Sequence, residues 1–164
     1  MKFADITTCD IANGDGIGVV LWCQGCSLKC EGCHNKCTQD ADCGTEFTDY
    51  YKNNILSELR RKDIDRLTLS GGHPLEKYNV DGCLDLCKAV RKEFGDSIRI
   101  WLYTGYVFES IADMEILKYV DVLVDGPFEL DKRDIRLAYR GSSNQRVIDV
   151  KKSLSTGSVV LYCN

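Results

Sequence analysis

Val19-Val20-Leu21-Trp22-Cys23-Gln24-Gly25-Cys26-Ser27-Leu28-Lys29-Cys30-Glu31-Gly32-Cys33-His34-Asn35 is a short apolar run that breaks into a loop crowded with thiols. The run Val19 to Cys23 is β-rich and reads as a buried strand. The loop then sets Cys26, Cys30 and Cys33 in a C-x3-C-x2-C spacing. Thiolates are the usual ligands of iron–sulfur clusters. A loop this tight suits three corners of a [4Fe–4S] cube. The fourth iron is then left without a protein thiolate and open to a substrate. Gly25 and Gly32 let the backbone approach the cluster closely. A zinc site on Cys23, Cys26, Cys30 and Cys33 is the alternative. Zinc ribbons separate their two Cys pairs by roughly 15–20 residues. Here only Ser27, Leu28 and Lys29 intervene, and Cys23 sits inside the strand, where cysteine acts as a small buried hydrophobe.

Outward from this loop, strand and helix signals alternate. Helical spacing covers Phe47 to Arg61, with Thr48 as a candidate cap, and Val80 to Phe94, stopped by Gly95. A shorter helix is expected over Phe108 to Leu117. Strands are expected at Arg66–Ser70, Ile98–Tyr103 and Val120–Val124, with weaker candidates at Arg146–Val150 and Val159–Tyr162. This order predicts an α/β chain with a mostly parallel sheet, one domain over 1–164. Four of the strands run into Gln24-Gly25-Cys26, Gly71-Gly72-His73, Thr104-Gly105 and Asp125-Gly126. In a parallel sheet these carboxyl ends share one edge, where ligands bind.

Ten cysteines in 164 residues are the compositional anomaly, and six lie between residues 23 and 43. A chain of this length with no signal-like start reads as a metal or redox protein rather than a disulfide scaffold, which places it in the cytoplasm. Hydrophobic residues at 44% and charged ones at 28% describe an ordinary globular chain. A net charge of −4 with no basic run gives no support to nucleic-acid or anionic-membrane binding. No apolar stretch is long enough to span a bilayer.

The other strand-end residues are read more openly. Gly71 and Gly72 free backbone groups for a ligand or simply make a turn. His73 is a ligand-contacting donor or a turn residue. Thr104 is placed to hydrogen-bond a ligand. Asp125 contacts a ribose or ammonium group, or forms the turn. Asn13-Gly14-Asp15-Gly16 reads as a turn, with a pocket wall as the alternative. Cys83 and Cys87, four apart on a helix, belong to the core. Cys37 and Cys43 read as loop residues, a second metal or redox site being the alternative. Cys9 and Cys163 carry no reading.

With these residues in place, the chain resembles the glycyl-radical activases of anaerobic (class III) ribonucleoside-triphosphate reductases, within the radical S-adenosylmethionine superfamily. The likeness runs from Asp10 to about Val147. It rests on Asn13-Gly14-x-Gly16, Gln24-Gly25-Cys26 through Cys33-His34-Asn35, Ser70-Gly71-Gly72-x-Pro74, Trp101-x-x-Thr104-Gly105-Tyr106, Val120 to Gly126, and above all Arg140-Gly141-Ser142-Ser143-Asn144-Gln145-Arg146. The resemblance implies an incomplete βα barrel and a [4Fe–4S] cluster on Cys26, Cys30 and Cys33. It implies reductive cleavage of S-adenosylmethionine to methionine and a 5′-deoxyadenosyl radical, which takes a hydrogen atom from a glycine of the reductase. Gly32, Cys33 and His34 would lie along the adenine, and Gly71 and Gly72 would hold the methionine amino end. The implied partners are the reductase's glycyl-radical loop and a small electron-donor protein such as flavodoxin. Three places depart from the family pattern. His73 stands where an acidic residue is usual, residues 36 to 44 form an unusual loop, and the tail beyond about Val150 matches nothing.

Overall fold

The computed structural model describes residues 1–163. Its eight strands are β1 (Lys2–Asp10), β2 (Gly18–Cys23), β3 (Thr45–Glu46), β4 (Arg66–Gly71), β5 (Arg99–Tyr103), β6 (Val122–Asp125), β7 (Arg146–Asp149) and β8 (Leu161–Cys163). They form one sheet in the order β3-β1-β2-β4-β5-β6-β7-β8. The helices are α1 (Asp49–Leu59), α2 (Val80–Phe94), α3 (Phe108–Ile111) and α4 (Val150–Thr156).

The expected mostly parallel sheet is corrected here. Only the β2–β4, β4–β5 and β5–β6 ladders are parallel; the other four of the seven are antiparallel. The sheet is also open, because β3 and β8 each pair on one side only. The cause is connectivity. A parallel neighbour needs a crossover long enough to return the chain, usually a helix. Residues 126–145, between β6 and β7, contain only a single 3-10 turn at Leu130–Lys132, and the chain comes back antiparallel. Strand β1, likewise, turns directly into β2.

Within the parallel core, side chains alternate cleanly between two faces. Leu67 and Leu69, Ile100 and Leu102, and Leu123 join the large cluster that packs against Ile55 and Leu59 of α1 and Cys83, Leu86, Cys87 and Val90 of α2. Trp101, Val122, Val124 and Val147 form a second cluster on the opposite face, with Tyr103, Tyr139 and Tyr162 against it. Cys23 belongs to the helix face, its Sγ 3.6 Å from that of Cys83. The core reading of Cys83 and Cys87 therefore holds.

Arg66 is fully buried among the polar residues at the start of β4. Its guanidinium donates to the Asp10 carboxylate at 2.6 Å, the Asp15 carbonyl at 3.1 Å and Thr68 Oγ1 at 3.1 Å. The Asn13-Gly14-Asp15-Gly16 turn wraps this arginine so closely that a Cβ on Gly14, where φ is +138°, would strike Arg66 and Trp101 at 2.8–2.9 Å.

Helix α2 matches its expected bounds. Helix α1 is two residues shorter at each end than expected, and the Thr48 side chain makes no capping bond. The expected Phe108–Leu117 helix divides into α3 and a 3-10 turn at Glu115–Lys118, separated where Met114 adopts extended backbone. Helix α4 lay outside the sequence reading. Asp149 caps it, accepting from Lys152 N–H at 3.0 Å, and Gly157 ends it in the left-handed conformation. Among the described residues, no helix is long and apolar enough to cross a membrane.

Candidate metal centre

Because β2, β4, β5 and β6 run parallel, their carboxyl ends meet along one edge of the sheet. A cavity of about 580 Å³ opens there. Cys26, Cys30 and Cys33 line it, together with His34, Gly71, Gly72 and Thr104. Seven of the nine anticipated site residues thus stand around one space. Gly32 and Asp125 are not on its wall.

The thiols of Cys26, Cys30 and Cys33 are free and half-buried. Lys29, between them, adopts a left-handed backbone with φ 47°. The N–H groups of Leu28 and Lys29 reach the Cys26 thiol. Burial pushes that thiol's pKa up, and these N–H groups pull the other way. Among the described residues, no three His, Cys, Asp or Glu side chains converge on one ion-sized point. Cys23 is on the far face of the sheet, so it cannot complete a tetrahedral zinc set with the other three. Three soft thiols along one wall fit a cube, in which each thiolate takes its own iron, better than a single ion.

The two glycines that end β4 and follow it are required by the close approach of β2 and the cysteine loop. Gly71 has φ +96°, and a Cβ there would meet the Cys23 backbone at 2.7 Å. A Cβ on Gly72 would press into the carbonyl oxygens of Gly25 and Thr38. The Gly72 N–H serves the same packing, donating to the Cys23 carbonyl at 2.8 Å. Asn35 Nδ2 donates to the Gly71 carbonyl at 3.2 Å.

His73 is buried, and the bulk of its environment is protein. Its Nε2 lies 2.7 Å from Thr104 Oγ1, which also accepts the Tyr106 N–H at 3.1 Å. The Thr104 hydroxyl is therefore already partnered within the protein. The His73 ring packs edge-on against Tyr106 with centroids 4.5 Å apart. Burial lowers the His73 pKa, opposed by Glu76, so the ring is neutral at pH 7.

Asp125 departs from its expected place at the ligand. It is the last residue of β6, in the same parity as Leu123, so it faces the helix side. Its carboxylate accepts Phe108 N–H at 2.7 Å and binds Arg146 at 2.5 and 3.0 Å. Arg146 in turn pairs with Glu109.

The Arg140–Arg146 segment builds the opposite wall. Gln145 Oε1 accepts the N–H groups of Gly141 and Ser142, and its amide donates to the Gly126 carbonyl at 3.0 Å. Asn144 Nδ2 donates to the Pro127 carbonyl at 2.7 Å. These bonds staple the loop after β6 to the start of β7. Sequence reasoning did not assign Arg140, Tyr103, Asn35 or Phe128 to the site, yet all line the cavity. Phe128 packs against the His34 ring at 5.2 Å. The Arg140 Nε is buried with no partner among the described residues. Cys37 and Cys43 are exposed; Cys43 donates to the Asp40 carboxylate at 3.3 Å, and among the described residues no metal set forms around them.

A family described as "4Fe-4S single cluster domain" matches residues 12–148. A curated relative from Enterobacteria phage T4, an anaerobic ribonucleoside-triphosphate reductase-activating protein, is 43% identical over 147 residues, covering 90% of this chain and 93% of the relative. This chain belongs to the anaerobic ribonucleoside-triphosphate reductase-activating protein family. Relatives of the same name from Escherichia coli K12 (38% identical, 90% of this chain and 97% of the relative) and Haemophilus influenzae (36%, 88% and 96%) agree.

Proposed function

We propose that this chain, acting as one domain in the cytoplasm, activates an anaerobic ribonucleoside-triphosphate reductase by cleaving S-adenosylmethionine at a [4Fe–4S] cluster held by Cys26, Cys30 and Cys33. The observation that carries this reading is the arrangement of thiols. Three line one cavity at the carboxyl edge of the parallel strands, and Cys23, which could have been a fourth, faces away. When bound and reduced, such a cluster supplies the one electron that splits the S–C5′ bond, and the 5′-deoxyadenosyl radical so formed takes a hydrogen atom from the reductase glycine.

The chain's own residues bind and orient. His34, beside Phe128, and the Gly32–Cys33 backbone flank the adenine. The Gly71–Gly72 backbone borders the methionine amino end. Thr104 acts with His73 as one hydrogen-bonded unit at the cavity wall, and the neutral ring adds no charge there. Asp125 supports the site from behind, holding Arg146 and the start of α3, and does not contact the ligand. We read β2, β4, β5 and β6 with their helices as the incomplete βα barrel of the superfamily. The cavity stays open to admit the reductase's glycyl-radical loop, and a small donor protein such as flavodoxin delivers the electron.

The test is anaerobic. Reconstituted, reduced protein is mixed with S-adenosylmethionine and then with the reductase. Release of 5′-deoxyadenosine and a glycyl-radical signal on the reductase are expected. Four bound irons with no 5′-deoxyadenosine would end this proposal.

A further inference from the structure

We infer that Glu76 is a positioning residue that presets the Cys26 corner of the site before any cluster is bound; the inference rests on the cluster reading above. Glu76 is 7% exposed, an unusual place for a carboxylate. Its Oε1 accepts both the N–H of Ser27 at 2.8 Å and the Ser27 hydroxyl at 2.5 Å. Ser27 directly follows Cys26. An ionised acceptor makes both bonds stronger than a neutral one would. Burial acts to neutralise Glu76, but the two Ser27 bonds and His73 outweigh it and keep its pKa below the usual carboxylate value.

Glu76 is itself fixed. Its N–H donates to the His73 carbonyl at 3.1 Å, and its carbonyl accepts from Asn79 and Val80 at 2.8 and 2.9 Å, where α2 begins. The same turn holds the residues before Cys26. Asn79 Nδ2 donates to the Gln24 carbonyl at 2.9 Å, and His73 N–H donates to the Gly25 carbonyl at 2.9 Å. Cys26 is thus bracketed on both sides by one short segment, and its own N–H is held by the Gln39 carbonyl at 3.0 Å. The rest of the loop is held differently. Among the described residues, no backbone-to-backbone hydrogen bond joins 28–34 to another part of the chain; Cys33 N–H bonds to the Cys30 carbonyl, and the Leu28 and Lys29 N–H groups turn back to the Cys26 thiol. The fold therefore fixes the first thiolate, and the loop's own turn places the other two.

Electrostatics alone would not put a carboxylate one residue from a thiolate ligand, because like charges repel. Its two bonds to Ser27 explain its presence as a matter of placement. Glu76→Gln keeps an oxygen acceptor for Ser27; Glu76→Ala removes it.

The experiment compares wild type, Glu76→Ala, Glu76→Gln and Ser27→Ala after anaerobic reconstitution with iron and sulfide. Two quantities are read: the rate of cluster loss to a chelator, and amide exchange at Ser27 in the cluster-free protein. Glu76→Ala should lose its cluster roughly tenfold faster, the scale of a lost hydrogen bond to a charged group. It should also expose the Ser27 amide. Glu76→Gln should recover most of both, and Ser27→Ala should fall between. Wild-type retention in Glu76→Ala, or an unchanged Ser27 amide, overturns the inference. Should Glu76→Ala fail to fold, wild-type retention in Ser27→Ala overturns it instead. A wild type that takes up no four-iron cluster defeats the cluster reading separately, and the Ser27 exchange still reports on Glu76.

Discussion

Cys30 and Cys83 present the same functional group to opposite surroundings. Cys30 is half-buried at the cavity, whereas Cys83 is fully buried between α2 and β2. The hydrogen bond with the Cys23 thiol, and then burial, hold the Cys83 thiol in its protonated form. Cys30→Ala should therefore abolish cluster uptake and 5′-deoxyadenosine formation, because two thiolates do not hold a cube; iron analysis after reconstitution checks this. Cys83→Ala should keep both activities and lose about 1 kcal/mol of stability in chemical denaturation, as a small core truncation does. A Cys83→Ala protein without iron would show that the sulfur pair under the loop supports the cluster directly. Spacing alone separates these two roles, since C-x3-C-x2-C and a helical four-residue repeat are different periods. Asp125 was not legible in this way. One residue of strand parity turned it from the cavity to the helix face, and sequence alone does not say which parity faces which layer.

At the scale of the element, β4 carries two demands along six residues. Leu67 and Leu69 pack against helices, while Arg66, Thr68 and Ser70 face the other side. Arg66→Ala would leave Asp10 without its partner in a largely buried position and should cost about 3–5 kcal/mol in urea unfolding. The same pair gives β1 and β4 an acid dependence. Burial raises the Asp10 pKa, but Asn13 and Arg66 outweigh it, and the carboxyl ends below its ordinary 3.8. The folded state then binds fewer protons than the unfolded one between those two values. Its contribution is fully present above about pH 4 and is lost as pH falls through the folded value. Wild type should lose melting temperature on that acid limb, and Asp10→Asn should show a flatter one. A limb equally steep in both proteins would remove Asp10 from the account. Strand β1 itself was missed because Lys2–Asp10 has no apolar run. It forms by pairing with β2, a neighbour that local sequence does not reveal.

Across the whole molecule, the cavity is closed on one side by the cysteine loop and on the other by the segment returning from β6 to β7. Gln145, itself on that far wall, ties its main chain together through three hydrogen bonds. Gln145→Ala should leave iron content unchanged and weaken S-adenosylmethionine binding roughly tenfold, the effect of a few lost main-chain bonds, as equilibrium binding would show. Equal loss of iron and ligand would mean the two walls fold as one unit. The sequence by itself determined the C-x3-C-x2-C spacing of the loop after β2, the four strands whose ends meet at the cavity, the amphipathic α2 and the family. These depend on spacing and period, which are local properties of a chain. Only the tertiary structure decided that most ladders are antiparallel, that Asp125 supports rather than lines the cavity, and that Arg66 and Glu76 are buried under partners distant in sequence. Each of those depends on which neighbour a strand pairs with and which face a side chain meets, and such choices are made by long-range packing.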